Sequence, residues 1–245
     1  MVKYSVDMEI QGQPRARRVV SHDEWVQERT QLLAKEKAMT KLRDEINKER
    51  LDLPMVKVDK KYVFEEDGKL VELSELFGDN SQLAVYHFMF APDWEAGCTG
   101  CSFISDHIDS ARQHFEHHDL SFVAVARAPW AKLDAYRKRM GWTFRWVSSQ
   151  ESDFNYDLGA SFKREDLDAG PVFYNFKTQK LNSEDQPGLS SFYKDQNGDI
   201  FHTYSSFERG GEPFITAYDW LDIAPKGRNE VEIMDWMHRH DEYEK

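Results

Sequence analysis

From Ser21 to about Leu51 the chain has almost no breakers, and Trp25, Leu32, Met39 and Ile46 recur every seven positions with Leu42 on the same side. So narrow an apolar stripe on a charged stretch predicts a long amphipathic helix. Ser21 and Glu24 form a capping box at its start, and Pro54 ends it. Beyond Pro54 the pattern changes. "KYVFEEDGKLVELSELF" reads as a strand, a turn at Asp67-Gly68 and a short helix. "QLAVYHFMF" (82–90) is nearly all apolar, as expected of a central strand covered on both faces, and "LSFVAVAR" (120–127) is a second such strand. Helices are expected from about Cys101 to His117 and from Pro129 to the stop at Gly141. "FRWVSS" (144–149) gives a third strand. Residues 150–187 mix turns, aromatics and charge and read as an insertion holding one strand. In 189–207 apolar residues alternate around Asn197-Gly198, the pattern of a β-hairpin. The polar stretch 229–240 reads as a last helix.

The order is strand, helix, strand, helix, strand, then an antiparallel hairpin. A βαβ unit followed by a hairpin makes an α/β fold, a mixed sheet flanked by helices, in the thioredoxin-like arrangement. The long N-terminal helix and the insertion before the final hairpin are additions. The expected organisation is a helical arm over 1–54, preceded by a loose lead-in over 1–20, a thioredoxin-like domain over 55–228, and a C-terminal helix or tail over 229–245.

Composition narrows the function classes. The 245 residues carry a net charge of −12, which argues against general affinity for nucleic acid or an anionic membrane. The N-terminus has no apolar core of a secretory signal, and the longest apolar run, "LAVYHFMFA", is too short to span a bilayer and contains His87. Two cysteines are too few for a disulfide-stapled secreted fold. A cytoplasmic protein is the expectation, and there a close Cys pair is more often catalytic, redox-sensing or metal-binding than structural.

That pair is Cys98 and Cys101, in "DWEAGCTGCSF". A helix starting beside it aims free backbone N–H groups and the positive end of its dipole at Cys98, favouring the thiolate, which is the nucleophile. Two intervening residues let Cys101 attack a mixed disulfide on Cys98. Gly100 would permit a tight turn, and Thr99 would donate a local hydrogen bond. Asp93 and Glu95 push the other way if they lie close, since a helix terminus is worth only ~0.3–1 kcal/mol when exposed. Trp94 is a candidate cover for the pair. Pro187, just before the hairpin, is the candidate for the proline that shapes a substrate groove, in cis or trans. A peroxiredoxin-type peroxidase would want Thr three residues before the reactive Cys, where Glu95 stands.

Other readings stay open. Cys98, Cys101 and a histidine, His202 foremost and His87 or His107 otherwise, would make a Cu or Zn site. His117-His118 and His238/His240 read as solvated helix ends. Arg127 reads as a surface ion pair, Phe154 and Tyr156 as core, and Trp142 and Trp146 as core or groove wall. The fold could also be a scaffold or redox sensor, with the long helix joining two copies as a homodimer. No glycine-rich nucleotide motif is present, so no cofactor is expected; the partner would be a protein or small-molecule disulfide or thiol.

Taken together, "YHFMFAPDWEAGCTGCSF", "VAVARAPWAKLDAYRKRMGWTFRWVSSQESDFNYDLGASF", "PGLSSFYKD", "FHTYSSF" and "YDWLDIAPKGRNE" resemble the bacterial family catalogued as domain of unknown function 899. The resemblance runs from the Trp25 helix to "APKGR" and implies a thioredoxin-like fold with a Cys-x-x-Cys at Cys98 and Cys101. Asp93, Trp94, Glu95 and Gly97 also match. Arg145 departs from a Pro expected in many relatives, at a strand entry. The family implies no reaction. With the Cys spacing, the expected activity is thiol–disulfide exchange, with Cys98 attacking and Cys101 resolving.

Overall fold

The structure is a computed structural model and describes residues 17–244. The lead-in over 1–16 lies outside the described residues. The described residues separate into two compact units: residues 17–54 with 219–235, and residues 55–218 with 236–244.

In the first unit the helix α1 runs His22–Leu51, with the Ser21 hydroxyl accepting from the Glu24 N–H at its cap. None of its residues is buried; Trp25, Leu32, Met39 and Leu42 are all more than half exposed. The helix forms as expected, but its apolar residues do not gather into one pronounced face, and those spaced seven apart are uncovered.

The second unit is built on one sheet. Its strands are β1 (Val56–Lys57), β2 (Val63–Glu66), β3 (Lys69–Glu72), β4 (Gln82–His87), β5 (Leu120–Ala126) and β6 (Arg145–Ser148), then β7 (Val172–Tyr174), β8 (Lys177–Gln179), β9 (Gly188–Lys194) and β10 (Ile200–Phe207). The order across the sheet is β1-β10-β9-β4-β5-β6-β2-β3, with β7-β8 a separate hairpin. β4, β5 and β6 are mutually parallel, whereas β9 runs antiparallel to β4 and β10 antiparallel to β9. A parallel pair continued by an antiparallel hairpin on its other edge is the thioredoxin arrangement. β4 and β5 lie in its centre, which is why their sequences are apolar throughout.

Alternation along β4 sets the two faces. Leu83 and Val85 point into a core with Val123, Val125, Val147, Phe154 and Phe192. Tyr86 points the other way, as does Phe88 just beyond the strand, packed on Trp146 and Trp142. Trp142 and Trp146 are thus core on that second face.

Four expectations need correction. The stretch after Asp67-Gly68 is a second strand before a 3-10 turn at Leu73–Phe77, because both turn residues sit at positive φ, 52° and 71°, and return the chain as a tight hairpin. The insertion holds the β7–β8 hairpin and two short helices (Phe154–Asp157, Arg164–Ala169) rather than one strand. The helix expected over 101–117 starts at Thr99 and breaks at Asp106–His107 into α2 (Thr99–Ser105) and α3 (Ile108–Phe115). The tail over 229–240 is a run of turns, not a helix. There Asp235 accepts from the Val231 and Glu232 N–H groups and Glu230 from the Met234 N–H, local side-chain bonds that compete with a helix.

Candidate functional site: the Cys98–Cys101 loop

Cys98 is the N-cap residue of α2. The loop is stitched to the end of β4 from both sides: the Cys98 N–H donates to Met89 O at 3.0 Å, and the Met89 N–H donates to Cys101 Sγ at 3.4 Å. Both cysteines are free thiols; Cys98 is partly exposed and Cys101 is buried. Spacing alone does not give this asymmetry. It arises because Cys98 caps the helix while Cys101, within the first turn, faces the sheet.

The electrostatics follow. The adjacent Cys101 thiol holds the Cys98 thiol well below its ordinary value against the opposing effect of burial, helped by the Cys101 and Gly100 N–H groups and the Arg239 charge. Burial drives Cys101 the other way, well up, and the neighbouring Cys98 adds to that. Asp93 and Glu95 are exposed, so the carboxylates that threatened the thiolate stay in water. Gly100 sits at ordinary helical φ and makes no hydrogen bond to the Cys98 thiol, though its N–H group favours the thiolate; the tight turn expected of it is absent. The glycine with a steric role is Gly97, where a Cβ would lie 2.5 Å from the Phe88 ring and 2.8 Å from Tyr136.

Behind and above the loop lie groups that the sequence did not announce. Tyr86 is buried beside Cys101, its hydroxyl without a hydrogen bond of good geometry. Ser102 Oγ donates to Cys98 O at 2.8 Å, Tyr136 Oη donates to Ser102 Oγ at 2.8 Å, and Arg239 Nε donates to Tyr136 Oη at 2.9 Å. Arg239 Nη2 also donates to Gly97 O at 2.7 Å. The turn-rich tail is pinned in place by Trp236 against Phe103, by His240 on Asp106 and by Arg139 on Asp241 and Glu242. Ser102 had a readable signal, since it lies one helical turn after Cys98. Arg239 had none.

The remaining candidates separate. Trp94 is held through its backbone, accepting from Lys132 Nζ at 3.0 Å, and its ring stacks on no other ring among the described residues. Thr99 begins α2 and makes no side-chain hydrogen bond among the described residues. Pro187 immediately precedes β9 and is trans. Arg127 is buried, not a surface residue: it binds Asp185 at 2.6 Å, Tyr156 Oη at 2.9 Å and Glu184 at 3.4 Å, so Tyr156 is a polar partner rather than core.

The structure does not bring the candidate metal ligands together. Among the described residues no group of three or more His, Cys, Asp or Glu side chains could hold an ion. His202 and His87 lie on the opposite face of the sheet from the thiols, His202 beside Ser205 and His87 beside Ser190. His107 uses both ring nitrogens, on Phe103 O and the Ala217 N–H. His117 and His118 are solvated in a 3-10 turn, but His238 and His240 sit in the tail's turns and bind Tyr243 and Asp106.

The profile of the family described as "Bacterial protein of unknown function (DUF899)" matches residues 14–243. Curated proteins give no match. Among solved structures, the chain is similar to Xanthomonas campestris Peroxiredoxin Q, with 11% identity over 68% of this chain and 96% of that one and a TM-score of 0.45. It is also similar to Peroxidoxin BcpB from Mycobacterium tuberculosis, with 13% identity, 67% and 93% coverage and a TM-score of 0.42. Likeness at this level assigns no reaction. No helix among the described residues is long and apolar enough to cross a membrane.

Proposed function

The chain belongs to the bacterial family DUF899, and we propose that its Cys98–Cys101 pair carries out thiol–disulfide exchange. The supporting observation is the asymmetry of the pair: one thiol partly exposed and acidified, the other buried beside it and held protonated. Cys98 thiolate attacks one sulfur of a substrate disulfide. A bond forms between Cys98 and that sulfur, and the other substrate sulfur leaves as a thiolate and takes a proton. Cys101 then loses its proton and attacks the Cys98 sulfur, closing the Cys98–Cys101 disulfide and releasing the second substrate thiol. Two electrons pass from the protein dithiol to the substrate. An external dithiol returns them. Trp94, Thr99, Gly100 and Pro187 are the proposed walls of the substrate groove. A peroxidase reading is weaker, because Glu95 stands where a hydroxyl donor would be wanted.

The test is a titration in graded glutathione buffers, with trapped thiols counted by mass. A single two-electron transition is expected in the parent, no reaction in Cys98→Ser, and a trapped mixed disulfide in Cys101→Ser. Variants that both exchange disulfides like the parent would sink the proposal.

The exposed seven-residue stripe of α1 supports a second, separate reading, in which two copies of the chain join through it. Replacing Trp25, Leu32, Met39 and Ile46 together by Gln should leave the helix content and convert a dimer to a monomer in sedimentation. A parent that is already monomeric at high concentration rules this out.

A further inference from the structure

On the face of the sheet turned away from the thiols, a cavity of about 410 Å³ lies under the β7–β8 hairpin. Its walls are aromatic, with Tyr62, Phe173, Phe176, Phe192 and Phe207 prominent, and its polar spot is His202 with Ser205. These two share a wall because of a bulge. His202 lies opposite Phe192 and Tyr204 opposite Ser191, so Thr203 is an extra residue. In a regular strand, residues three apart would face opposite sides.

The hydrogen bonds around His202 run in one direction. Its Nε2 contacts Tyr204 O at 3.1 Å, a carbonyl that can only accept, so Nε2 carries the proton and also donates to Ser205 Oγ at 2.8 Å. Ser205 donates to Ser190 Oγ at 2.9 Å and Ser190 to His87 Nε2 at 2.9 Å. His87 Nδ1 donates to Asn155 Oδ1 at 3.3 Å. Every proton in the chain is spent, and no protein group among the described residues bonds His202 Nδ1. That nitrogen is left as a bare acceptor, and burial lowers the pKa of His202, which keeps the ring neutral.

The rim disfavours anions. Lys57 is paired with Asp199 at 2.7 Å, and Lys60 with Asp153 at 2.7 Å and Asp157 at 2.6 Å. Asp59 has no ion pair among the described residues, so an anion meets repulsion and no unpaired cation. The lid is strained. Asn175 and Phe176 form a two-residue turn with φ of 50° and 59°, a conformation that suits Asn or Gly but is costly for a bulky side chain. Phe176 nonetheless stands there, 69% exposed, with its ring against Phe207. Strain of this kind is kept where the side chain is used.

We propose that this cavity binds a neutral, flat, apolar molecule with one hydroxyl, a compound of the phenol class. The hydroxyl donates to His202 Nδ1, and the ring lies among Phe176, Phe192 and Phe207. The site is independent of the thiol chemistry.

The test is calorimetric and NMR titration of the full chain at neutral pH with phenol, toluene and benzoate. Phenol should saturate a single site, with toluene at least tenfold weaker and benzoate without binding. His202→Phe should abolish the preference for phenol over toluene. Phe176→Gly relieves the turn, so it should fold at least as stably while binding phenol several-fold more weakly. Three results would each overturn the proposal: phenol that does not saturate, toluene that binds as well as phenol, or Phe176→Gly that binds phenol like the parent.

Discussion

Tyr86 and His87 are adjacent in β4 and belong to different chemistries. Tyr86 backs the buried thiol of Cys101, and His87 belongs to a hydrogen-bonded line that runs from His202 to Asn155. One residue of strand is enough to exchange one face of the sheet for the other. Closeness in sequence to a Cys-x-x-Cys is therefore a poor guide to membership in its site. The histidine at the end of the strand leading to the loop looked like a metal ligand and points away from it.

The sharpest way to break this comparison is to alter each face and read the other. Cys98→Ser should abolish exchange with a small disulfide probe completely, whereas His87→Gln should leave the rate within about twofold. A folded His87→Gln protein without thiol reactivity would mean that the faces are not separate.

The next effect concerns pH. Burial lowers the pKa of His87 from 6.5 to about 4, more than the Asn155 hydrogen bond can offset, and the nearby His202 contributes in the same direction. A histidine with a depressed folded value is protonated first in the unfolded chain. Stability is therefore full above about pH 6.5 and is lost as pH falls toward about 4. The span corresponds to about 3 kcal/mol at 1.36 kcal/mol per pH unit. Urea unfolding at pH 7, 5.5 and 4.5 should show a steeper loss for the parent than for His87→Gln. Parallel losses would remove His87 from the account. On the same face, Ser190→Ala leaves His87 Nε2 buried without its donor, and should cost about 1–3 kcal/mol in the same assay at pH 7.

On the thiol face, Arg239 is the group to test. Its charge acts on Cys98 and its fork holds Gly97 O and Tyr136 Oη. An acid with a lowered pKa gains reactivity at lower pH. Arg239→Ala should therefore shift the alkylation profile of Cys98 to higher pH and slow the reaction at neutral pH about two- to fivefold, the range of a partly exposed ion pair. Arg239→Lys should restore part of the shift, because it keeps the charge and loses the fork. A profile identical to the parent's in Arg239→Ala would leave the tail a structural strap only.

How much of this was legible follows from what each element asks of its residues. α1, the hairpin around Asn197-Gly198 and the apolar strands β4 and β5 announce themselves because their signal is periodic and local. The cysteine loop is legible for the same reason: spacing and helix start lie within a few residues. Arg239 reaches Gly97 across 142 positions from a segment of turns, and no local pattern encodes such a contact. The tail reads as a helix in sequence because its polar residues fit a solvated helix face equally well. The bulge at Thr203 was also invisible, since one inserted residue leaves the alternation looking intact on either side. Gly97 could be read only as another loop glycine until Phe88 and Tyr136 closed on it.

The smallest expected effect returns to the first pair of neighbours. Tyr86 Oη is buried beside Cys101 without a hydrogen bond of good geometry, whereas Ser190 on the other face is bonded on both sides. Removing a hydroxyl that already lacks a partner forfeits no hydrogen bond and relieves a desolvated polar atom. Tyr86→Phe should therefore change unfolding by less than about 1 kcal/mol, in either direction, where Ser190→Ala costs more. The ring itself stays packed on Phe88, so the sheet face is unchanged. A loss above about 2 kcal/mol in Tyr86→Phe would mean that the hydroxyl is bonded to Cys101 after all. The thiol face would then be tied together as tightly as the histidine face.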